Sequence, residues 1–419
     1  MSALLVIGAF AQAASSAPAP TPAPSPTPPA ATEILDPPQR GVANYIDLDA
    51  GVGYSINPRV GSGGSDGAGF GRLGVTGVHA RSSARTTTIL TGLAQVYFYT
   101  RDVGSQQSLR LTAIHNTRVN ENLSLSGDLG LSYDKGGRLD TSLGGLSGVP
   151  FLPGGINPPL LLPVGSDFLS VTGRTLRATG NLGAQWTLST REFLNASSGL
   201  EYVRFDGAAD SHYIGVPVSI GYDRQISTRT TIGGSLSARY TDYGGPGSFR
   251  SIAPALTFQT ALSPTLSLRG NIGVSFGEAD NGGVTSHSTG ITASLAACSR
   301  GDRENFCGRV SIDQQAATVA GPARTIDVGV DYSRQLGPDD SIRFSVNASR
   351  FSSPVIFTTT PVFSRAVYVR GAADYSRRIG NRFSGGVSLA ARKVTRNGPD
   401  PRADFSGSLF IRYRLGDLQ

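Results

Sequence analysis

Cysteine, methionine, tryptophan and histidine are nearly missing from this chain: of 419 residues, 2 are Cys, 1 is Met, 1 is Trp and 4 are His. The histidines His79, His115, His212 and His287 stand in no H-x-x-E-H or G-x-S-x-G context. The arrangements that hydrolytic chemistry needs therefore have no basis in the sequence. No enzyme, metal or cofactor is expected, and no nucleic-acid partner. Long apolar runs are also lacking. Only 39% of residues are hydrophobic, and no run approaches the roughly 18 residues that a membrane-spanning helix requires. A multispanning helical protein is excluded.

What is abundant is glycine, 54 residues of it, and arginine: Lys135 and Lys393 are the only lysines among 37 basic residues. Met1–Ala13 carries a short apolar core, from Ala3 to Phe10, and ends in Ala11-Gln12-Ala13. This is the pattern of a secretory h-region and cleavage site; it has no basic n-region, so a start codon upstream is the expectation. Residues 14–40 alternate Pro with Ala and Thr and predict an extended periplasmic tether.

From residue 41 onward the pattern has a period of two. Over 122–134, Leu123, Leu125, Leu129, Leu131 and Tyr133 share one face, and Ser124, Ser126, Asp128 and Ser132 share the other. Segments 174–188 and 265–277 repeat the template, and LSLSGDLGLSY (123–133) and LSLRGNIGVSF (266–276) are near copies, as hairpin duplication would leave them. Alternation over eleven or more residues is too long for ordinary propeller or sandwich strands and suits a membrane barrel strand. The template predicts eighteen strands, near 44–57, 69–80, 87–100, 104–116, 121–134, 173–188, 193–205, 212–225, 228–242, 248–262, 265–278, 286–298, 306–318, 323–336, 341–352, 363–377, 382–393 and 403–415. The expected fold is all-β: a transmembrane, antiparallel, up-and-down barrel over 41–419 with no plug domain. Short turns should alternate with wider links at 58–68, 135–172, 279–287, 353–362 and 394–402. The 135–172 link is oddly apolar and is expected to fold over or into the lumen. Aromatic residues should form two girdles, one with Tyr54, Phe98, Tyr133, Tyr202, Tyr240 and Phe276, the other with Trp186, Tyr222, Tyr332, Tyr375 and Tyr413.

Strand parity aims Arg110, Arg177, Arg239, Arg269, Arg343, Arg370 and Arg412 into the lumen, with Arg72 and Arg414. Guanidinium groups on a low-dielectric wall favour anions and grip carboxylates in two-pronged hydrogen bonds. The same parity aims Asp47, Asp49, Asp128, Glu201, Asp223, Asp327, Asp331 and Asp374 inward, so ion-pair ladders that merely stiffen the wall are the alternative. Arg110, Arg177, Arg239, Arg269 and Arg343 are expected in strand interiors. Cys298 and Cys307 bracket a polar turn on the same lumenal face; in an oxidising compartment they should form a disulfide.

The run Cys298-Ser299-Arg300-Gly301-Asp302-Arg303-Glu304-Asn305-Phe306-Cys307 resembles the C-x-R-G-[ED]-R-x-x-x-C turn of the β-barrel porins of the second type in Gram-negative bacteria. The strand–turn text 109–134 is similar in style, and the resemblance spans roughly 41–419. It implies an outer-membrane barrel with a periplasmic N-terminus, folded by the barrel assembly machinery among outer-membrane lipid and lipopolysaccharide. It further implies passage of small anionic solutes, or export of an acidic exopolysaccharide, and leaves a homo-oligomer open. A non-conducting structural or adhesive barrel is the alternative. The chain departs from the usual outer-membrane ending, closing on Leu415-Gly416-Asp417-Leu418-Gln419 instead of an aromatic residue.

Overall fold

The computed structural model describes residues 41–58, 67–101, 103–135, 174–206, 211–244, 247–281, 283–317, 321–352, 365–396 and 402–416. The export segment, the Pro-rich tether and nearly all of the apolar 135–172 link lie outside these residues. The strands are β1 (Gly41–Ser55), β2 (Ala68–Ser82), β3 (Thr86–Tyr99), β4 (Ser105–Arg118), β5 (Leu123–Lys135), β6 (Arg174–Ser189), β7 (Glu192–Asp206), β8 (Ser211–Gln225) and β9 (Thr230–Asp242). They continue as β10 (Gly247–Ala261), β11 (Leu266–Asn281), β12 (Val284–Arg300), β13 (Glu304–Ala317), β14 (Gly321–Gln335), β15 (Asp340–Ser352), β16 (Arg365–Arg378), β17 (Phe383–Arg396) and β18 (Asp404–Gly416). Each coincides with one expected strand, with ends within three residues of the expected bounds.

Every strand pairs antiparallel with its neighbours in sequence, and β1 closes on β18 from Tyr45↔Gly416 to Ser55↔Ser406. The result is a closed 18-stranded up-and-down barrel in which no strand is left with an open edge. Local hydrogen-bonding chemistry closes the short turns. Asn120 Oδ1 accepts the amides of Asn122 and Leu123 at 2.9 and 2.8 Å, and Ser263 Oγ accepts those of Thr265 and Leu266 at 3.2 and 2.9 Å. One expected wide link is corrected. In place of a loop at 279–287, β11 runs to Asn281 and β12 starts at Val284. The turn is compressed to two residues because Gly283 takes φ +92° and its amide reaches Asp280 Oδ1 at 3.2 Å.

The distribution of side chains inverts that of a water-soluble protein. Val52, Leu129, Leu182, Leu256, Leu409 and Ile411 point outward with 60–73% of their surface exposed. Asp47, Asp49, Arg72, Glu201 and Asp404 point inward and are buried. Transfer of each outward apolar side chain into hydrocarbon is worth about 1.5–3 kcal/mol, so the exterior suits lipid and not water. Trp186, Tyr222, Tyr332, Tyr375 and Tyr413 each stand three residues from the short-turn end of their strands. The second aromatic set lies toward the opposite rim.

Period two does not describe every strand. In β3 the inward residues Ile89, Leu93 and Tyr97 are buried, and Leu90 and Phe98 are exposed on the outside. Both faces of this strand carry apolar residues, and on the lumen side Tyr97 packs edge-on against Phe70 of β2, ring centroids 5.6 Å apart.

Candidate functional site

The lumen wall is built from polar residues that lie flat, and glycines make this geometry available. A Cβ on Gly329 would come within 2.7 Å of Arg309 Nε and 2.8 Å of Asn347 Oδ1, so the Arg309 side chain crosses β14 through the gap that Gly329 leaves. Its Nη2 then donates to Asn347 Oδ1 on β15 at 3.0 Å. Asp223 uses Gly233 in the same way, accepting from Asn195 Nδ2 at 2.7 Å and from Thr257 Oγ1, two strands away, at 2.9 Å.

Three ionic clusters neutralise parts of this wall. Glu201 accepts from Arg177 at 2.7 Å, from Arg239 at 3.5 Å and from the Tyr213 hydroxyl at 3.0 Å. Arg414 grips Asp47 with Nε and Nη2 at 2.7 and 2.8 Å and stacks over the Tyr45 ring. Asp404 accepts from Ser55 Oγ, the Asn57 amide and Arg392 Nε at 2.6, 3.0 and 3.0 Å, while Arg392 Nη2 caps the Pro58 carbonyl at 2.9 Å. Nearby, Arg72 pairs with Asp49 at 3.2 Å, their side chains only 3% and 1% exposed. Such pairs, held away from water, contribute rigidity to the wall.

The β13–β16 wall differs. Arg309 lies 3.7 Å from Asp331, but these side chains are 41% and 50% exposed, so solvent reaches both. Arg343 stands directly opposite Asp374, and Arg370 stands between Asn347 and Arg392 in the same register row. Arg269 of β11 sits opposite Ala296 and Gln259 and has no acidic partner among the described residues.

All seven arginines singled out from the sequence therefore lie on the inward face, but the structure separates their roles. Arg177 and Arg239 share one carboxylate. Arg412 lies over the Phe410 ring, 5.8 Å from its centroid, and opposite Asp49. Arg110 sits between Leu93 and Ser132 on the inner wall. Of the five arginines expected in strand interiors, Arg110 is the sixth residue of β4; Arg269 is the fourth of β11 and Arg343 the fourth of β15, toward the short turns, whereas Arg177 is the fourth of β6 and Arg239 the fourth from the end of β9, toward the wider links. Arg309 and Arg392 are lumenal arginines that were not singled out, although Arg309 lies two residues beyond inward-facing Cys307 and so shares its face.

Cys298 and Cys307 are disulfide-bonded, directly opposite in the β12–β13 ladder near the short-turn end, with Cα atoms 4.1 Å apart. His79 and His115 face outward, bonding Asn44 and Thr88. His287 lies 3.8 Å from Glu278 on the outer face of the opposite rim. Among the described residues no group of three or more His, Cys, Asp and Glu could hold a metal ion.

No protein-family model matches the sequence, and no curated protein is similar to it. Solved structures offer a faint likeness. The FrpB iron transporter of Neisseria meningitidis, F5-1 variant in apoprotein form, is 9% identical with a TM-score of 0.43, covering 89% of this chain. This chain spans only 63% of that protein. OccK2 (OpdF) of Pseudomonas aeruginosa is 10% identical with a TM-score of 0.42, over 90% of this chain and 98% of that one. A BenF-like porin of Pseudomonas fluorescens is 9% identical with a TM-score of 0.42, over 90% and 99%.

Proposed function

We propose that this chain is a Gram-negative outer-membrane barrel that gives small polar solutes passage across the membrane, in the manner of a porin. The carrying observation is the inverted barrel: an apolar exterior around a charged inner wall on which Arg309 and Asp331 stay exposed to solvent. A barrel of eighteen strands leaves an interior wider than its own inward side chains can fill. The lining arginines Arg110, Arg177, Arg239, Arg269, Arg343, Arg370 and Arg412 bias that passage toward anions. Placing the short turns and the N-terminus in the periplasm puts the wider links outside, as single-chain barrels of this kind do. Lipopolysaccharide, phospholipid and the assembly machinery are the partners this location entails. An acidic exopolysaccharide is the larger cargo that the sequence resemblance implies.

Purified protein in planar bilayers tests the proposal. Stepwise conductance in potassium chloride is expected; closed membranes at every voltage would favour the structural or adhesive barrel. Block of that conductance by a uronate oligosaccharide would support the larger cargo, and free conductance in its presence would remove it.

A further inference from the structure

One register row of the inner wall contains four arginines and climbs from one end of the barrel to the other. Directly opposed residues run Arg269, Ala296, Arg309, Gly329, Asn347, Arg370 and Arg392, one on each strand from β11 to β17. Counted from the short-turn end they occupy the fourth residue of β11, the fifth of β12, the sixth of β13, and so on to the tenth of β17. The row thus gains one residue of height per strand. Six strand spacings of about 4.8 Å make a path of roughly 29 Å. With strands tilted by about 40°, that path climbs roughly 18 Å, most of an apolar band about 25 Å tall.

The row contains no acid until it meets Asp404, opposite Arg392 at the top. Acids border it on β14 alone within the adjacent rows, Asp331 below Gly329 and Asp327 above, the latter accepting from Ser349 Oγ. Small residues, Ala296 and Gly329, separate the arginines, and Arg309 reaches across Gly329 to Asn347. The longest gap in the series is thereby bridged by a guanidinium and an amide. A planar guanidinium binds a carboxylate through two parallel donors, and the exposed Arg309 can exchange its contacts with Asn347 and Asp331 for such a grip.

We propose that this ascending row is the route of permeation for small organic anions, which pass from Arg269 to Arg309 and Arg370 by successive two-pronged contacts. The proposal rests on the passage reading and names its path and its substrate class. The neutralised clusters on β6–β9 and β18–β1 then serve as rigid wall and not as route, and the Arg392–Asp404 pair closes the row at its top.

The test compares Arg269→Gln, Arg309→Gln and Arg370→Gln with Arg350→Gln in planar bilayers under gradients of potassium chloride and of potassium succinate. Arg350 lies on β15 beside the inward Ser349 and points outward, so its loss changes the net charge equally without touching the row. Each row variant should lower the anion-to-cation permeability ratio at least twofold and weaken half-saturation by succinate, and Arg350→Gln should leave both unchanged. Equal shifts from all four variants, or none from the row variants in channels that conduct normally, would overturn the route and leave the passage reading standing. A wild-type barrel that never conducts would overturn both. A row variant that fails to assemble is replaced by its lysine counterpart, which keeps the charge. That variant should retain anion preference while losing succinate saturation, and retention of both would count against the route.

Discussion

Glu201 shows how much one inward carboxylate holds in place. It is 5% exposed and accepts from Arg177, Arg239 and Tyr213, groups on three different strands. Glu201→Gln keeps the shape and part of the hydrogen bonding but removes the charge that two guanidinium groups share. Breaking a buried pair costs roughly 3–5 kcal/mol. The 18% and 28% exposure of the two arginine side chains places the cost at the low end of that range. The expected outcome is an assembled barrel that unfolds at lower temperature, read by loss of its folded mobility in detergent gels, and that is more anion-selective than the wild type. Unchanged selectivity would mean that Arg177 and Arg239 lie off the conducting path even when released. Strand parity alone had aimed these arginines and Glu201 inward correctly, yet it could not tell which arginine would be matched. Matching depends on side chains two strands apart that meet across a glycine.

At the scale of the element, the β12–β13 hairpin is the one covalently clamped pair. The disulfide closes a nine-residue separation at the short-turn end and faces the lumen one row below Arg309. A loop of this size contributes about 2–3 kcal/mol in the chain-entropy account. The ladder on either side continues through backbone hydrogen bonds, so the double variant Cys298→Ser/Cys307→Ser should assemble with unchanged β content and unchanged conductance but a lower unfolding midpoint. Thiols that react with an alkylating agent in unreduced wild-type protein would refute the bond. The β11–β12 turn carries a different lesson. Glycines at 282–283, next to Asp280, look like a wide polar link when strands are bounded by alternation alone. Positive φ at Gly283 lets the two strands extend to the turn itself.

At the scale of the whole molecule, orientation follows from the asymmetry of the two ends. Turns such as 226–229 and 262–265 are tight and hydrogen-bonded, whereas 136–173 and 353–364 separate their strands by many residues. If the short turns face the periplasm, a cysteine placed at Thr228 should resist a membrane-impermeant maleimide in intact cells. One placed at Val284, 72% exposed at the β11–β12 turn on the opposite end, should be labelled. The reverse labelling pattern would invert the barrel and with it the direction in which the arginine row climbs.

The amino-acid pattern by itself determined the strand count, nearly every strand end, which residues face lipid and which face the lumen, and the cysteine pairing. All of these depend on neighbours within one strand or one hairpin, where a period of two and turn chemistry are sufficient. It did not show the apolar inner face of β3, where Tyr97 meets Phe70 of the neighbouring strand. Nor did it show which lumenal charges cancel, or at what depth Arg269 and Arg343 lie. Direction is a local property of a strand, but height is not. Height is the sum of register offsets carried from strand to strand around a closed, tilted barrel, and only the closure of β1 on β18 completes that sum.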